Sequence, residues 1–255
     1  MVLVSAVFGL LSLGLVQGEA WGWTSYRTLG VFANAAILAP VLVLRSLHHP
    51  HPAMPVRLFR VRMFSFATSG TLLYGAAFYG QILANVLFLT GVWDYSVLRT
   101  ALAILPGPLM AAVAAPISGR LADRYGYRRV VLPGAGLFVL GALFMAAAMP
   151  GEPAYLTHFL PAQLLIGISI GASMSTLGAA SSQALPPEQY GSGSAVSSAS
   201  RQLGAVLGVA LVVAVLGAYP LQETLHAFHA SWLTTGLLAL GTTVLALGLP
   251  TRRTA

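Results

Sequence analysis

Eight apolar runs separated by short polar breaks make up most of this sequence: Val2 to Val16, Leu29 to Leu44, Phe64 to Leu89, Val97 to Ser118, Val130 to Met149, Leu156 to Ala184, Val196 to Ala218 and Trp232 to Leu249. A bilayer core needs about 20 apolar residues per helix. Hydrocarbon offers backbone N–H and C=O groups no water, so such runs must be helices. The fold class predicted is all-α, a polytopic membrane helix bundle. Charge content agrees, with 7% charged residues where a soluble domain carries about 25%. Mean hydropathy is +0.81. The first run is short, as though cut just inside a helix. No basic segment precedes it and no small-residue cleavage site follows, so it reads as a span rather than a signal peptide.

The arginines orient the bundle. All thirteen basic residues are arginine. One set of loops and tails holds ten: Arg45, Arg57, Arg60, Arg62, Arg120, Arg124, Arg128, Arg129, Arg252 and Arg253. The opposite set holds two, Arg27 and Arg99, with Arg201 at the start of the seventh run. Ten against two predicts that the first set, and both termini, are cytoplasmic. Trp21, Trp23, Trp93, Tyr95 and Tyr155 are then expected at the outer interface, where amphipathic rings gather. A net charge of +7 spread over span ends is topology, not a nucleic-acid surface.

Organisation follows from one composition break. The stretch from Arg45 to Arg62 contains Pro50, Pro52 and Pro55. It predicts two helices in residues 1–45, a cytoplasmic linker at 46–63, and a six-helix bundle in 64–255. His48, His49 and His51 cluster in that linker, but the prolines leave no shaped site, so no metal is expected there. With no cysteine, disulfides and thiolate metal sites are excluded, and no cofactor is expected. His158, His226 and His229 fall near the outer ends and are expected to cap or face water.

One polar stretch is specific in its residue order. Gly119-Arg120-Leu121-Ala122-Asp123-Arg124-Tyr125-Gly126-Tyr127-Arg128-Arg129 reads as an eleven-residue loop forcing its flanking helices to be antiparallel neighbours. Asp123 is expected to accept from backbone N–H groups at a helix N-terminus and to pair with an adjacent guanidinium. The pattern resembles the loop signature of the major facilitator superfamily, carried by Gly119, Leu121, Asp123, Arg124, Gly126, Arg128 and Arg129. Tyr127 departs from it, where a basic residue is more usual.

Further stretches resemble the fourteen-span drug:proton antiporters of that superfamily. They are Gln17 to Trp23, Pro55 to Arg60, Leu105-Pro106 with Ala115-Pro116, and Gly191 to Ala195 followed by Arg201-Gln202-Leu203-Gly204 and Gly208-Val209-Ala210. The resemblance implies that the chain corresponds to the C-terminal eight spans: the superfamily's C-terminal six-helix half preceded by two extra helices. It implies an N-terminal six-helix bundle as partner, with protons and a small organic compound as cargo.

Candidate functional residues lie on the third, sixth and seventh runs. Tyr74, Phe78, Gln81 and Asn85 recur at three- and four-residue steps, on one helical face. In the architecture the resemblance implies, that helix lines a central cavity. Amides beside aromatic rings there would suit an amphipathic or cationic organic substrate, and the competing reading is interhelical hydrogen bonding. Gln163, Ser173 and Thr176 are weaker candidates of the same kind. Arg201 enters a span and is assigned a structural or gating role, with snorkelling to the interface as the alternative. Gly167 with Gly171, and Gly204 with Gly208, have the spacing of close helix contacts. Pro106, Pro108 and Pro116 are expected to bend or interrupt the fourth span.

No acidic residue falls at mid-membrane. Glu19, Asp94, Glu152 and Glu223 belong to outer loops, and Asp123 and Glu188 to inner ones. Proton coupling needs a titrating group in the path, so the coupling carboxylate is expected in the absent bundle. The leading function is proton-driven export of drugs or amphipathic compounds. Uptake of a nutrient or metabolite, and a non-transporting remnant that needs a separate N-terminal half, stay open. No mid-span nucleophile–histidine pair or metal set points to an enzyme.

Overall fold

The computed structural model describes residues 56–220 and 223–250, together with isolated positions between 10 and 38. The two predicted spans before Leu44, the histidine cluster of the linker, and Glu19 therefore lie mostly or wholly outside the described residues. A 3₁₀ turn at Val56–Arg60 leads into helix α1 (Arg62–Gly91). Then follow α2 (Val97–Ile104), α3 (Pro106–Tyr125), α4 (Arg128–Ala148), α5 (Leu160–Gln183), α6 (Tyr190–Gly217) and α7 (Thr224–Ala246). A π-helical turn at Tyr155–Phe159 precedes α5.

Five helical stretches among the described residues are long and apolar enough to cross a membrane: Arg62–Gly91, Val97–Tyr125, Arg128–Ala148, Tyr155–Gln183 and Pro187–Gly217. Helix α7, predicted as the eighth span, is not among them, because His226, His229 and five threonines dilute its apolar residues. It packs with the rest nonetheless, against α1 and α4.

The packing has an internal symmetry. Helix α1 lies against α6 and α7, while α5 lies against α3 and α4; α1 also meets α5, and α4 meets α7. Exchanging the first three spans for the last three swaps the α1–α6 contact with α5–α3 and the α1–α7 contact with α5–α4, and returns α1–α5 and α4–α7 to themselves, as paired three-helix repeats require. Glycines make the two crossing pairs close. A Cβ at Gly204 or Gly208 would run into the Leu72 and Ala76 carbonyl oxygens of α1. One at Gly167 or Gly171 would do the same to the Gly107 and Ala111 carbonyls.

Three local expectations are corrected. The eleven-residue stretch is not a loop. Helix α3 runs on to Tyr125, because Arg120, Leu121, Ala122 and Arg124 are strong helix formers. Only Gly126 and Tyr127 separate it from α4. Gly126 takes φ +91, a conformation that a Cβ penalises. Asp123 accordingly sits in the last turn of a helix rather than at an N-terminus, and it is exposed. Trp93 and Tyr95, expected at the outer interface as amphipathic rings, stand at that end of the bundle but turn into the protein rather than outward, 4% and 6% exposed. They join Phe88, Phe159, Phe228 and Trp232 in a ring cluster with centroids 4.8–6.1 Å apart. The sharp turn after α1 draws them inward: Asp94 adopts φ 51, and the Trp93 indole N–H donates to the Pro150 carbonyl at 3.1 Å.

Candidate functional site: a polar chain through the bundle interior

The fourth span shows why a polar group is needed in its neighbour. Proline has no N–H, so Pro106 and Pro108 leave the carbonyls of Leu102 and Ile104 without their helical donors. The hydrogen-bond ladder is interrupted at Leu105, whose φ −51 and ψ −37 remain helical. The hydrogen bonds Leu105 N–H to Ala101 (3.1 Å) and Leu109 N–H to Leu105 (3.2 Å) continue on either side. The prolines have thus interrupted the ladder as expected, without turning the chain. Pro116 lies inside α3 and does not interrupt it.

Gln163 of α5 meets this gap. Its Nε2 donates to the Ile104 carbonyl at 3.1 Å, and its Oε1 accepts from Asn85 Nδ2 at 3.2 Å. Asn85 Oδ1 accepts in turn from Gln81 Nε2 at 3.0 Å and from the Trp232 indole N–H at 2.9 Å. Thr235 Oγ1 donates to Gln81 Oε1 at 2.6 Å, and Gln81 Nε2 also reaches Met145 Sδ at 3.1 Å. One connected chain therefore ties α1, α2, α4, α5 and α7. Its members are neutral, so their burial carries no ion-desolvation cost. Unmade bonds at such depth would be expensive.

The residues assigned to a cavity from sequence fall as follows. Gln81 and Asn85 are each 2% exposed and Gln163 is 6% exposed; all three are hydrogen-bonded within the chain just described. Tyr74 is buried, its hydroxyl 2.7 Å from Ser169 Oγ and its ring edge-on to Phe138 at 5.5 Å. Phe78 is half-buried and packs edge-on against Tyr79 at 5.0 Å. Ser173 and Thr176 are buried on α5. Sequence reading missed Trp232, Thr235, Met145 and the Ile104 carbonyl. The signal was present: His229, Trp232 and Thr235 recur every three residues, and Pro108 marks an orphaned carbonyl four residues before it.

The signature residues gather at one end. Arg60, Arg62, Arg120, Arg124 and Arg129 are exposed there, while Arg128 is half-buried with its backbone N–H 3.4 Å from the Pro250 carbonyl. The Arg124 guanidinium lies over the Tyr125 ring at 5.3 Å. A Cβ at Gly119 would meet nothing within 4 Å. Asp123 has no ion partner among the described residues. Helix α6 starts at Tyr190, earlier than the predicted Val196, so Arg201 stands well inside it, about 16 Å along the axis. Arg201 is half-buried against Gly75 of α1, and no carboxylate among the described residues pairs with it. At the opposite end stand Asp94, Arg99 and Glu152, all exposed. His229 is not simply solvated there, because its Nε2 contacts the Met149 carbonyl at 2.9 Å.

The sequence profile described as the Major Facilitator Superfamily matches residues 1–208 and again 67–255. The chain belongs to the Major Facilitator Superfamily. It is a multi-pass membrane protein of a transporter family, not an enzyme. It is 29% identical over 223 residues to the multidrug resistance protein Stp of Mycobacterium tuberculosis, covering 86% of this chain and 40% of that protein. It is 32% identical over 209 residues to the puromycin resistance protein pur8 of Streptomyces alboniger, covering 80% and 41%. The chain thus spans about two fifths of these relatives' length. Among solved structures it resembles the inward-open xylose transporter XylE from E. coli, with TM-score 0.58 and 18% identity over 76% of this chain and 49% of that one. This likeness extends to the facilitator fold alone.

Proposed function

We propose that this chain is the C-terminal eight spans of a fourteen-span facilitator that exports drugs or other amphipathic organic compounds in exchange for protons, by alternating access. Residues 1–45 would supply the extra helix pair, 46–63 a cytoplasmic linker, and 64–255 the second bundle. The observation that carries this reading is the match, over four fifths or more of the chain, to relatives named for multidrug and puromycin resistance. The proposed setting is the cell membrane, with the arginine-bearing end in the cytosol.

In this reading the polar chain of Gln81, Asn85 and Gln163, with Tyr74 beside Ser169, stiffens the bundle from behind the pathway wall. Phe78 offers the substrate a ring, and the amides fix the helices that present it. Asp123, Arg124, Arg128, Arg129, the helical Gly119 and the turn glycine Gly126 act at the cytoplasmic closure against the first bundle, and Arg201 works as a gating cation on α6. An unpaired carboxylate in the last turn of α3 supports that role, because the negative end of its own helix disfavours it there and a partner outside the bundle would relieve it. All five described acids are exposed, so the proton-carrying carboxylate is assigned to the N-terminal bundle. The test is dye efflux and puromycin resistance in an efflux-deficient host. This chain alone is compared with the same chain preceded by a six-span bundle. Efflux only from the longer form is expected; robust efflux from the short one overturns the half-carrier reading.

A further inference from the structure

A trough of about 730 Å3 opens at the arginine-poor end between α4 and α7, with Tyr219 just past the end of α6 and Glu223 just before α7 at its edge. Its size lies within the usual range for small-molecule sites, about 300–1,000 Å3. Its lower walls are apolar: Leu143, Ala146 and Ala147 from α4, and Ala230 and Leu233 from α7. Its rim is polar, formed by Tyr219, Glu223, His226 and His229. That division follows the membrane. Leu140, Leu143 and Phe144 on α4, and Leu233, Leu237 and Leu240 on α7, are all well exposed, an apolar surface suited to acyl chains. The rim stands where α4 ends at Ala148 and α7 begins at Thr224, which is headgroup level.

We propose that this trough is a binding site for a phospholipid whose headgroup carries a primary ammonium, such as phosphatidylethanolamine. One acyl chain would follow the alanine floor. The Glu223 carboxylate accepts hydrogen bonds from the ammonium, and the Tyr219 hydroxyl and His226 ring N–H donate to the phosphate. A methylated choline headgroup has no N–H to give, so Glu223 discriminates between them. The rim is not a metal set: no three histidine, cysteine or acidic residues among those described are placed to hold an ion. His229 is less free than its neighbours, with Nε2 engaged at the Met149 carbonyl and its ring against Trp232 at 5.9 Å.

The experiment is native mass spectrometry of the purified protein after equilibration with equal amounts of phosphatidylethanolamine, phosphatidylcholine and phosphatidylglycerol. Wild type is expected to retain phosphatidylethanolamine about twofold to fivefold over phosphatidylcholine, the range for one exposed charge-assisted contact. Glu223→Gln is expected to erase that preference while still retaining lipid. Ala146→Leu with Ala230→Leu, which fills the floor, is expected to remove retained lipid altogether. Both variants are peripheral, and circular dichroism checks their fold. Equal retention of the two lipids by wild type, or an unchanged preference in Glu223→Gln, overturns the proposal. So does displacement of the lipid by the amphipathic cation tetraphenylphosphonium, which would make the trough a cargo site.

Discussion

Replacing Gln163 with leucine tests the interior chain most sharply, because structure supplies both the cost and its control. The substitution removes the donor to the Ile104 carbonyl and the acceptor for Asn85 Nδ2. Each orphaned buried group costs about 1–3 kcal/mol in a soluble protein. Interhelical bonds in membranes average nearer 0.6 kcal/mol and reach about 1.7, since the unfolded helices find other partners. The lower scale applies here, giving a loss of about 1–3 kcal/mol for the pair. Pro108→Ala is the control: it returns an N–H to the position four residues after Ile104, where the backbone is already helical. In that background Ile104 keeps a partner, and the cost of Gln163→Leu should fall by about 1 kcal/mol. The assay is reversible unfolding in mixed micelles for wild type, both single variants and the double. If Gln163→Leu costs the same in both backgrounds, within ~0.3 kcal/mol, the carbonyl is not what Gln163 serves and the reasoning fails.

Other consequences follow from the same packing. Gly208→Ala should destabilise the bundle by about 1–3 kcal/mol, because the added methyl meets the Ala76 carbonyl. Gly178→Ala, where nothing lies within 4 Å, should be neutral or gain up to about 1 kcal/mol in helix propensity; thermal melts of the two distinguish a packed from an open glycine. Gly126→Ala should cost about 1 kcal/mol or more through its positive φ, read in the same melts. Asp123→Asn should leave stability within about 0.5 kcal/mol of wild type yet reduce efflux by the complete carrier severalfold. Wild-type efflux at matched protein level would remove Asp123 from the closure.

How much of this was legible from the chain depends on the scale of the feature. Apolar runs of membrane length fix the helices because a bilayer permits little else, and helices α1 through α6 arose close to where hydropathy put them. The glycine pairs at 167/171 and 204/208 were readable as close contacts for the same reason: only a missing Cβ lets backbones touch. Helix ends were harder. Arginine and leucine extend α3 beyond the lipid as readily as within it, so a charged stretch that looked like a loop continued as helix until Gly126. Tertiary partners were hardest. Trp93 and Tyr95 have the amphipathic character of interface rings, and only the turn at Asp94 decides that they point inward. Gln81 and Asn85 were singled out correctly as one face, but which groups they meet depended on Trp232 and Thr235, about 150 residues away.

The absence of cysteine makes the central claim directly measurable, since any introduced thiol is the sole target in the chain. Arg124→Cys and Arg128→Cys mark the arginine-bearing end of the bundle, and Asp94→Cys and Glu152→Cys the other. A membrane-impermeant maleimide applied to intact cells should label positions 94 and 152 and reach 124 and 128 only after permeabilisation. Labelling of 124 and 128 in sealed cells, with 94 and 152 protected, would contradict the proposed orientation and the cytoplasmic closure built on it.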